Sequence, residues 1–323
     1  MILNVRGADA HQKPTFPGFE NVWTPVALSS EVRSAPLPVV IAGTRVVLFR
    51  GPAGAIAALV DRCPHRGVAL SLGRVVDGCI ECPFHGWRLD VAGNVAHVPL
   101  NPDAKLGSLG GVALPTRERA GQIWMFTGLE PTGEPAISER LEAPDVRVTG
   151  VRAEWGAHWT RAMENMLDWA HLPFVHRRTI GKSLVSRVHE RMEVKWETTP
   201  WGASSHIELD GKPEPGSLDM RWPNQMNLFI PVPERTLIMA VACVPKTETT
   251  TTMLLVMARS FMRSPLFDGL FHRKNLQIAL EDKAIVESSS PSEIPRAQDE
   301  QSVRTDGFTL HFRKRYDREL RSS

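Results

Sequence analysis

The sequence predicts an α+β protein in two parts: a small all-β domain, then an antiparallel sheet with helices packed on one face. Three observations predict it. Residues 38–127 break into short β-rich runs separated by turns. The stretch 129–146, LEPTGEPAISERLEAPDV, is rich in Pro, Glu and Gly and reads as a linker. Beyond it, helical segments alternate with longer apolar runs of strand composition. A chain of 323 residues is long enough for two such domains, each with its own core. The division is drawn as 1–130 and 131–323.

Along the first part, PVVIAGTRVVLF is β-rich around a Gly turn and AIAALV follows Gly54. WRLDVAGNVAHV alternates across an Ala-Gly-Asn turn, and GQIWMFTG closes the set. In the second part a helix is expected over 159–171, ended by Pro173. MNLFIPV, TLIMAVACV and TTMLLVMARSF read as strands. A long helix is expected over 267–288, with Pro291 and Pro295 beyond its end.

Composition narrows the function classes. The formal charge is only +2, so no strong field points to nucleic acid or an anionic membrane. The basic run His311-Phe312-Arg313-Lys314-Arg315 reads as a solvated tail. No apolar run approaches the roughly 20 residues that span a bilayer, and the start, MILNVRGADAHQ, lacks the pattern of a secretory signal. A soluble, cytoplasmic protein is expected. Of the four cysteines, Cys63, Cys79 and Cys82 crowd together and Cys243 stands alone. That is a poor disulfide framework and a better metal-binding one in a reducing compartment. GSLGG at 107–111 lacks the strand–turn–helix setting of a nucleotide loop.

Cys63-Pro64-His65-Arg66-Gly67 and Cys82-Pro83-Phe84-His85-Gly86-Trp87 each supply one thiolate and one imidazole. Two such loops provide four ligands. On ligand types alone, a tetrahedral zinc and a binuclear iron–sulfur cluster are both open. The prolines stiffen the loops, and the glycines let the backbone turn toward the sulfurs. Cys79 reads as a buried thiol outside the ligand set.

The segment Glu164-Asn165-Met166-Leu167-Asp168-Trp169-Ala170-His171-Leu172-Pro173-Phe174-Val175-His176 holds the second constellation. If helical, positions 164, 168 and 171 share one face. A break at Pro173 would let His176 return toward His171. Two His beside an acidic group suit a metal or a satisfied core pair, and the residues alone leave both open. Downstream, LQIALEDKAIVESSS puts Asp282 on an apolar face with Ile278 and Ile285. A carboxylate in an apolar stripe needs a partner, but Asp282 can also be a surface charge beside Glu281 and Lys283.

The two loops closely resemble the Rieske motif, and ENMLDWAHLPFVH resembles the D-x-x-H-x-x-x-x-H signature of Rieske non-haem iron oxygenases. Respiratory Rieske proteins carry an extra Cys in each loop. Val68 and Phe84 stand there instead, which resembles the oxygenase and ferredoxin branch. The resemblance runs over about 23–290 and is strongest toward the oxygenases without a second subunit type, including the vanillate and dicamba demethylases. It implies an all-β Rieske [2Fe–2S] domain ahead of a helix-grip (START/Bet v 1-like) catalytic domain. It implies Cys63, His65, Cys82 and His85 as cluster ligands, and His171, His176 and Asp282 as ligands of a mononuclear Fe(II). Asp168 is implied as the bridge between His171 of its own chain and His85 of the next, with Asn165 beside it.

The activity implied is that of a terminal oxygenase that activates O2 to hydroxylate or O-demethylate a small, largely apolar organic substrate. Ring cis-dihydroxylation and desaturation use the same iron. A Rieske electron carrier without oxygenase activity is the reading from a different class. The implied partners are a separate NAD(P)H-dependent reductase, with or without a ferredoxin, and further copies of the chain in a homotrimer. Met226, Met239, Met253 and Met257 either face the substrate or fill the core.

Overall fold

The structure, a computed structural model, describes residues 14–321. The N-terminal stretch read for a leader signal lies outside the described residues. The described residues divide into two compact units, one of residues 14–118 and 122–134, the other of 119–121 and 135–321.

The first unit is all-β. Its longer strands, such as Trp23–Leu28, Ile56–Val60 and Gln122–Phe126, are short, largely apolar runs buried at successive positions, which suits strands covered on both faces. Leu37–Ile41, Thr44–Arg50, Ile56–Val60 and Ala113–Leu114 form one four-stranded sheet. Arg74–Val76, Cys79–Glu81, Arg88–Leu89 and Val95–His97 form a second, paired in chain order. Trp23–Leu28, Gln122–Phe126 and Thr116–Arg119 form a three-stranded sheet. One core cluster joins Val47, Phe49, Leu59, Leu70, Ile80 and Leu89, and Cys63 and Cys82 are part of it. The two cysteine loops therefore leave the packed centre of the unit.

Among the described residues, the second unit holds an eight-stranded antiparallel sheet. Its order is Arg147–Trp155, Thr250–Arg259, Leu237–Thr247, Gln225–Phe229, Ser217–Arg221, Gly202–Leu209, Met192–Thr199, with the short Lys212–Pro213 paired to Gly202–Leu209. The three strands expected from sequence are neighbours in it, second to fourth in that order. Leu237–Thr247 and Thr250–Arg259 are buried at successive positions, so residues on both faces are covered. Four helices belong to this unit among the described residues: α1 (Trp159–Leu167), α2 (Leu172–Val175), α3 (Asp268–Glu287) and α4 (Gly307–Glu319). Helix α1 packs on the strand Leu237–Thr247, and α3 on Arg147–Trp155 and Thr250–Arg259. None of these helices is long and apolar enough to cross a membrane.

Two expectations are corrected. The basic run His311–Arg315 is no solvated tail: it lies in α4, where Phe308, Phe312 and Tyr316 repeat at helical spacing and are buried. On α3 the buried stripe is Phe271, Asn275, Ile278, Ala279, Asp282 and Val286, while Ile285 is half exposed at 51%. Asp282 lies inside the stripe as expected, but Ile285 does not flank it.

Asp268 opens α3 and anchors it to the sheet. Its carboxylate accepts from Arg147 Nε at 2.8 Å and from Arg259 Nη2 at 2.6 Å, and Arg259 is fully buried. The Arg147 hydrogen bonds, seconded by Arg259, outweigh burial and hold its carboxyl at about 2. A folded-state pKa below the unfolded one gives stability that is present above about pH 4 and lost as pH falls toward 2. Asp268→Asn is thus expected to cost about 2 kcal/mol at neutral pH, with the difference from the parent roughly halved at pH 3. Urea midpoints measured across that range check it; a difference that does not change with pH would contradict the assignment.

Candidate metal centres

The two cysteine loops are congruent. In the first, Cys63 N–H donates to Val68 O at 2.8 Å and Gly67 N–H to Cys63 O at 2.9 Å. In the second, Cys82 N–H donates to Trp87 O at 2.8 Å and Gly86 N–H to Cys82 O at 3.0 Å. The same turn closes both, and it needs a left-handed residue: Gly67 has φ 73° and Gly86 φ 69°. A Cβ on Gly86 would also stand 3.0 Å from Pro99 Cγ.

Cys63 and Cys82 are 3% and 2% exposed, whereas His65 and His85 are exposed. The two imidazole centroids lie 4.7 Å apart, and Trp87 stacks on His65 at 4.6 Å with its plane 2° from parallel. Burial pushes the Cys63 thiol up to about 11, and the neighbouring Cys82 adds to it. Metal binding must therefore displace a proton there. Burial, then His85 and Arg66, lower the pKa of His65, which favours the neutral ring that ligates. Among the described residues, no three of these four donors gather within 4.8 Å of one another, as the ligands of a single tetrahedral ion would. Two buried thiols behind two exposed imidazoles fit a binuclear cluster with an S₂ and an N₂ end. Cys79 begins the strand Cys79–Glu81 and is half-buried, not buried as expected.

The second constellation forms differently from the helical reading. Helix α1 stops at Leu167, and Asp168 is extended at φ −84°, ψ 132°. Its carboxylate accepts from Ala170 N–H at 2.8 Å, so a local side-chain-to-backbone bond displaces the next helical turn. Pro173 is no breaker. It occupies the first turn of α2, where a missing N–H costs nothing. Glu164 is not among the donor atoms that gather with His171. It accepts from Arg161 at 3.1 Å and from Arg313, in a network that Glu300 completes. That network ties α1 to α4.

His171 and His176 flank α2 and point their Nε2 atoms at one oxygen of α3. Asp282 Oδ1 is 3.1 Å from His176 Nε2 and 3.6 Å from His171 Nε2. Among the described residues, these three are the set whose donor atoms gather within 4.8 Å. His176 and Asp282 are 1% and 2% exposed. Despite the proximity, Asp282 Oδ1 makes no formed hydrogen bond. A buried carboxylate oxygen left unsatisfied between two imidazoles is costly, and a cation among the three atoms would satisfy it. The donor set thus fits a divalent metal.

The outer partners are also in place. His171 Nδ1 lies 3.4 Å from Asp168 Oδ2, a charge contact short of a formed hydrogen bond. Burial works against the Asp168 charge, yet His171 and the N–H groups of Ala170 and His171 hold its carboxyl below the ordinary carboxylate range. Asn165 lines a cavity beside these atoms, with its Nδ2 buried and unpartnered. Burial alone would lower the His176 pKa, but Asp282 and Glu281 together hold it above its ordinary value. Glu281, read from sequence as a surface charge, accepts from His176 Nδ1 at 2.8 Å. Nothing local in the sequence marks it, because the contact spans 105 residues.

Beside these atoms lies a cavity of about 30 Å³, lined by Leu218, Met226, Leu228, Met239 and Ile278. Met226 and Met239 therefore face it. Met253 and Met257 are buried in the sheet core away from it. Two further carboxylates of α3 are engaged elsewhere: Asp268 by its two arginines, and Glu287 by Gly156 N–H at 2.5 Å.

Comparison with known proteins bears on both centres. Residues 22–112 match the Rieske [2Fe-2S] domain family. Residues 155–230 and 231–321 match the family described as the vanillate O-demethylase oxygenase C-terminal domain. The chain is 32% identical over 178 residues to the oxygenase component of dicamba O-demethylase from Stenotrophomonas maltophilia, 54% of this chain and 52% of that one. It is 31% identical over 159 residues to the oxygenase subunit of 3-chlorobenzoate-3,4-dioxygenase from Comamonas testosteroni, 48% of this chain and 37% of that one. The chain thus spans about half, or less, of the length of these relatives. Dicamba monooxygenase bound to dicamba superposes with a TM-score of 0.76 at 25% identity, covering 93% of this chain and 96% of that one.

Proposed function

This chain belongs to the family that joins a Rieske [2Fe–2S] domain to a vanillate O-demethylase-type oxygenase domain, and from that premise we propose that it is a terminal oxygenase. The observation that carries the reading is the presence, in one chain, of two congruent Cys/His loops and a separate buried His171–His176–Asp282 set. An electron carrier needs only the first, and a structural zinc protein would use the loops without iron or redox activity and leave the second set unexplained.

Cys63, Cys82, His65 and His85 would hold the [2Fe–2S] cluster, and the two imidazoles are the exposed members of that set. His171, His176 and Asp282 would hold a mononuclear Fe(II). When bound, an iron with two neutral imidazoles and one carboxylate supplies open positions for dioxygen chemistry. Asp282 supplies the single anionic ligand. Asp168 keeps the His171 ring turned so that Nε2 faces the site. The wall of Leu218, Met226, Leu228 and Met239 keeps water out and presents an apolar surface. Methionine side chains adapt to shape, so the small cavity can widen for a compact apolar substrate.

The reaction is insertion of one oxygen atom of O2 into a substrate C–H bond. A pair of electrons and two protons reduce the other atom to water. At an O-methyl group the product is a hemiacetal, which collapses to an alcohol or phenol and formaldehyde. Electrons come from a separate NAD(P)H-dependent reductase, directly or through a ferredoxin. The chain works as a homotrimer in the cytoplasm, the cluster of one subunit serving the iron of the next. A second reading, ring cis-dihydroxylation, is favoured by the likeness to a chlorobenzoate dioxygenase subunit.

Reconstitution with a surrogate reductase and a panel of aryl methyl ethers and aromatic acids tests this. Formaldehyde released in step with NAD(P)H oxidation is the expected result. A cis-diol product would select the second reading. A reducible cluster with no oxygenated product from any panel member would leave only electron transfer.

A further inference from the structure

We infer that Glu281 is a positioning residue of the mononuclear centre: its carboxylate accepts a hydrogen bond from Nδ1–H of His176 and so commits the Nε2 lone pair to the metal. This rests on the reading of His171, His176 and Asp282 as metal ligands.

His176 is 1% exposed and sits between two consecutive carboxylates of α3. Its Nδ1 is 2.8 Å from Glu281 Oε2, and its Nε2 is 3.1 Å from Asp282 Oδ1. A neutral imidazole has one N–H and one lone pair, and a carboxylate only accepts. With the ring neutral, as a metal ligand must be, one side would therefore face a lone pair with a lone pair unless a metal cation lies there; a second ring proton could fill that side only in the metal's absence. The surroundings decide which side. Glu281 Oε2 also accepts from Thr179 Oγ1 at 2.6 Å, and Oε1 accepts from Gln277 Nε2 at 3.4 Å. Glu281 is thus held in place as an acceptor for Nδ1–H. Asp282 Oδ1 has no formed hydrogen bond, and it is the atom that also faces His171 Nε2. The proton belongs on the Glu281 side and the cation on the Asp282 side.

The arrangement gives α3 two tasks at one ring. Asp282 supplies a ligand, and its neighbour fixes the tautomer and ring plane of another ligand. Thr179 belongs to the turn that follows His176, where its N–H donates to His176 O at 2.9 Å. The His176 turn and α3 are therefore joined by a hydrogen-bonded set that includes no metal ligand but His176. The support of His171 is looser: its Nδ1 contact with Asp168 is 3.4 Å and is not a formed hydrogen bond.

The test uses the full chain with its cluster in place and the mononuclear metal removed by chelation. Co(II) is titrated anaerobically by calorimetry, and its high-spin EPR signal is recorded. The parent is expected to bind one Co(II), and His176→Ala to lose it. Glu281→Ala should bind about 10–100-fold more weakly, with a changed Co(II) signal. Glu281→Gln, whose amide oxygen still accepts from Nδ1–H, should recover part of that loss. Thr179→Val should weaken binding several-fold, and it decides the matter if Glu281→Ala does not fold. Parent-like affinity and signal in Glu281→Ala or, failing that variant, in Thr179→Val would overturn the role of Glu281 while leaving the ligands standing. Unchanged binding in His176→Ala would overturn the ligand reading itself.

Discussion

Replacing Asp282 by alanine is expected to abolish oxygenation while leaving the cluster spectrum and its reduction unchanged. Asp282 is the single carboxylate of its set, 2% exposed, with Oδ1 aimed at both imidazoles. Without it, two neutral rings must hold Fe(II) with no anionic partner. Mononuclear iron affinity should fall by more than the roughly 10–100-fold that loss of an outer partner costs. The cluster ligands belong to the other unit, with its own core, so their absorbance should not change. Iron content, visible spectrum and product formation on the same preparation check this. Normal turnover, or loss of the cluster spectrum, would show that Asp282 is not the third ligand.

The second large effect is expected at Asp168. Asp168→Asn keeps a side-chain oxygen for Ala170 N–H but removes the charge beside His171. Both metals should be retained and turnover should fall by about 10–100-fold or more. The defect should lie in electron delivery, read as slow oxidation of the reduced cluster in a single turnover with substrate and O2. Loss of the mononuclear iron with normal cluster oxidation would contradict this role.

How much of this was legible in the sequence depends on how local each signal is. The Cys/His loops were legible because each pair of candidate ligands lies within a few residues and is fenced by Pro and Gly; the same turn recurs in both. Asp282 was legible as a charge inside an apolar stripe, although Ile285 proved to be exposed. The end of α1 was not: helical spacing runs on through His171, but the Asp168 side chain captures Ala170 N–H and stops the helix. The strand Met192–Thr199 is largely exposed and mixes charged with apolar residues, so it carries no clean alternation. Helix α4 was masked by its charges, although Phe308, Phe312 and Tyr316 repeat at helical spacing. Glu281 was beyond local reading, since its significance lies in a partner on a distant turn.

The central claim is that one chain carries a binuclear cluster and a separate mononuclear iron. Iron and acid-labile sulfide, counted on anaerobically purified protein together with its visible and EPR spectra, test it most directly. The expected result is a brown protein with about three irons and two sulfides per chain and a Rieske signal on reduction. A colourless protein with stoichiometric zinc and no labile sulfide would contradict it.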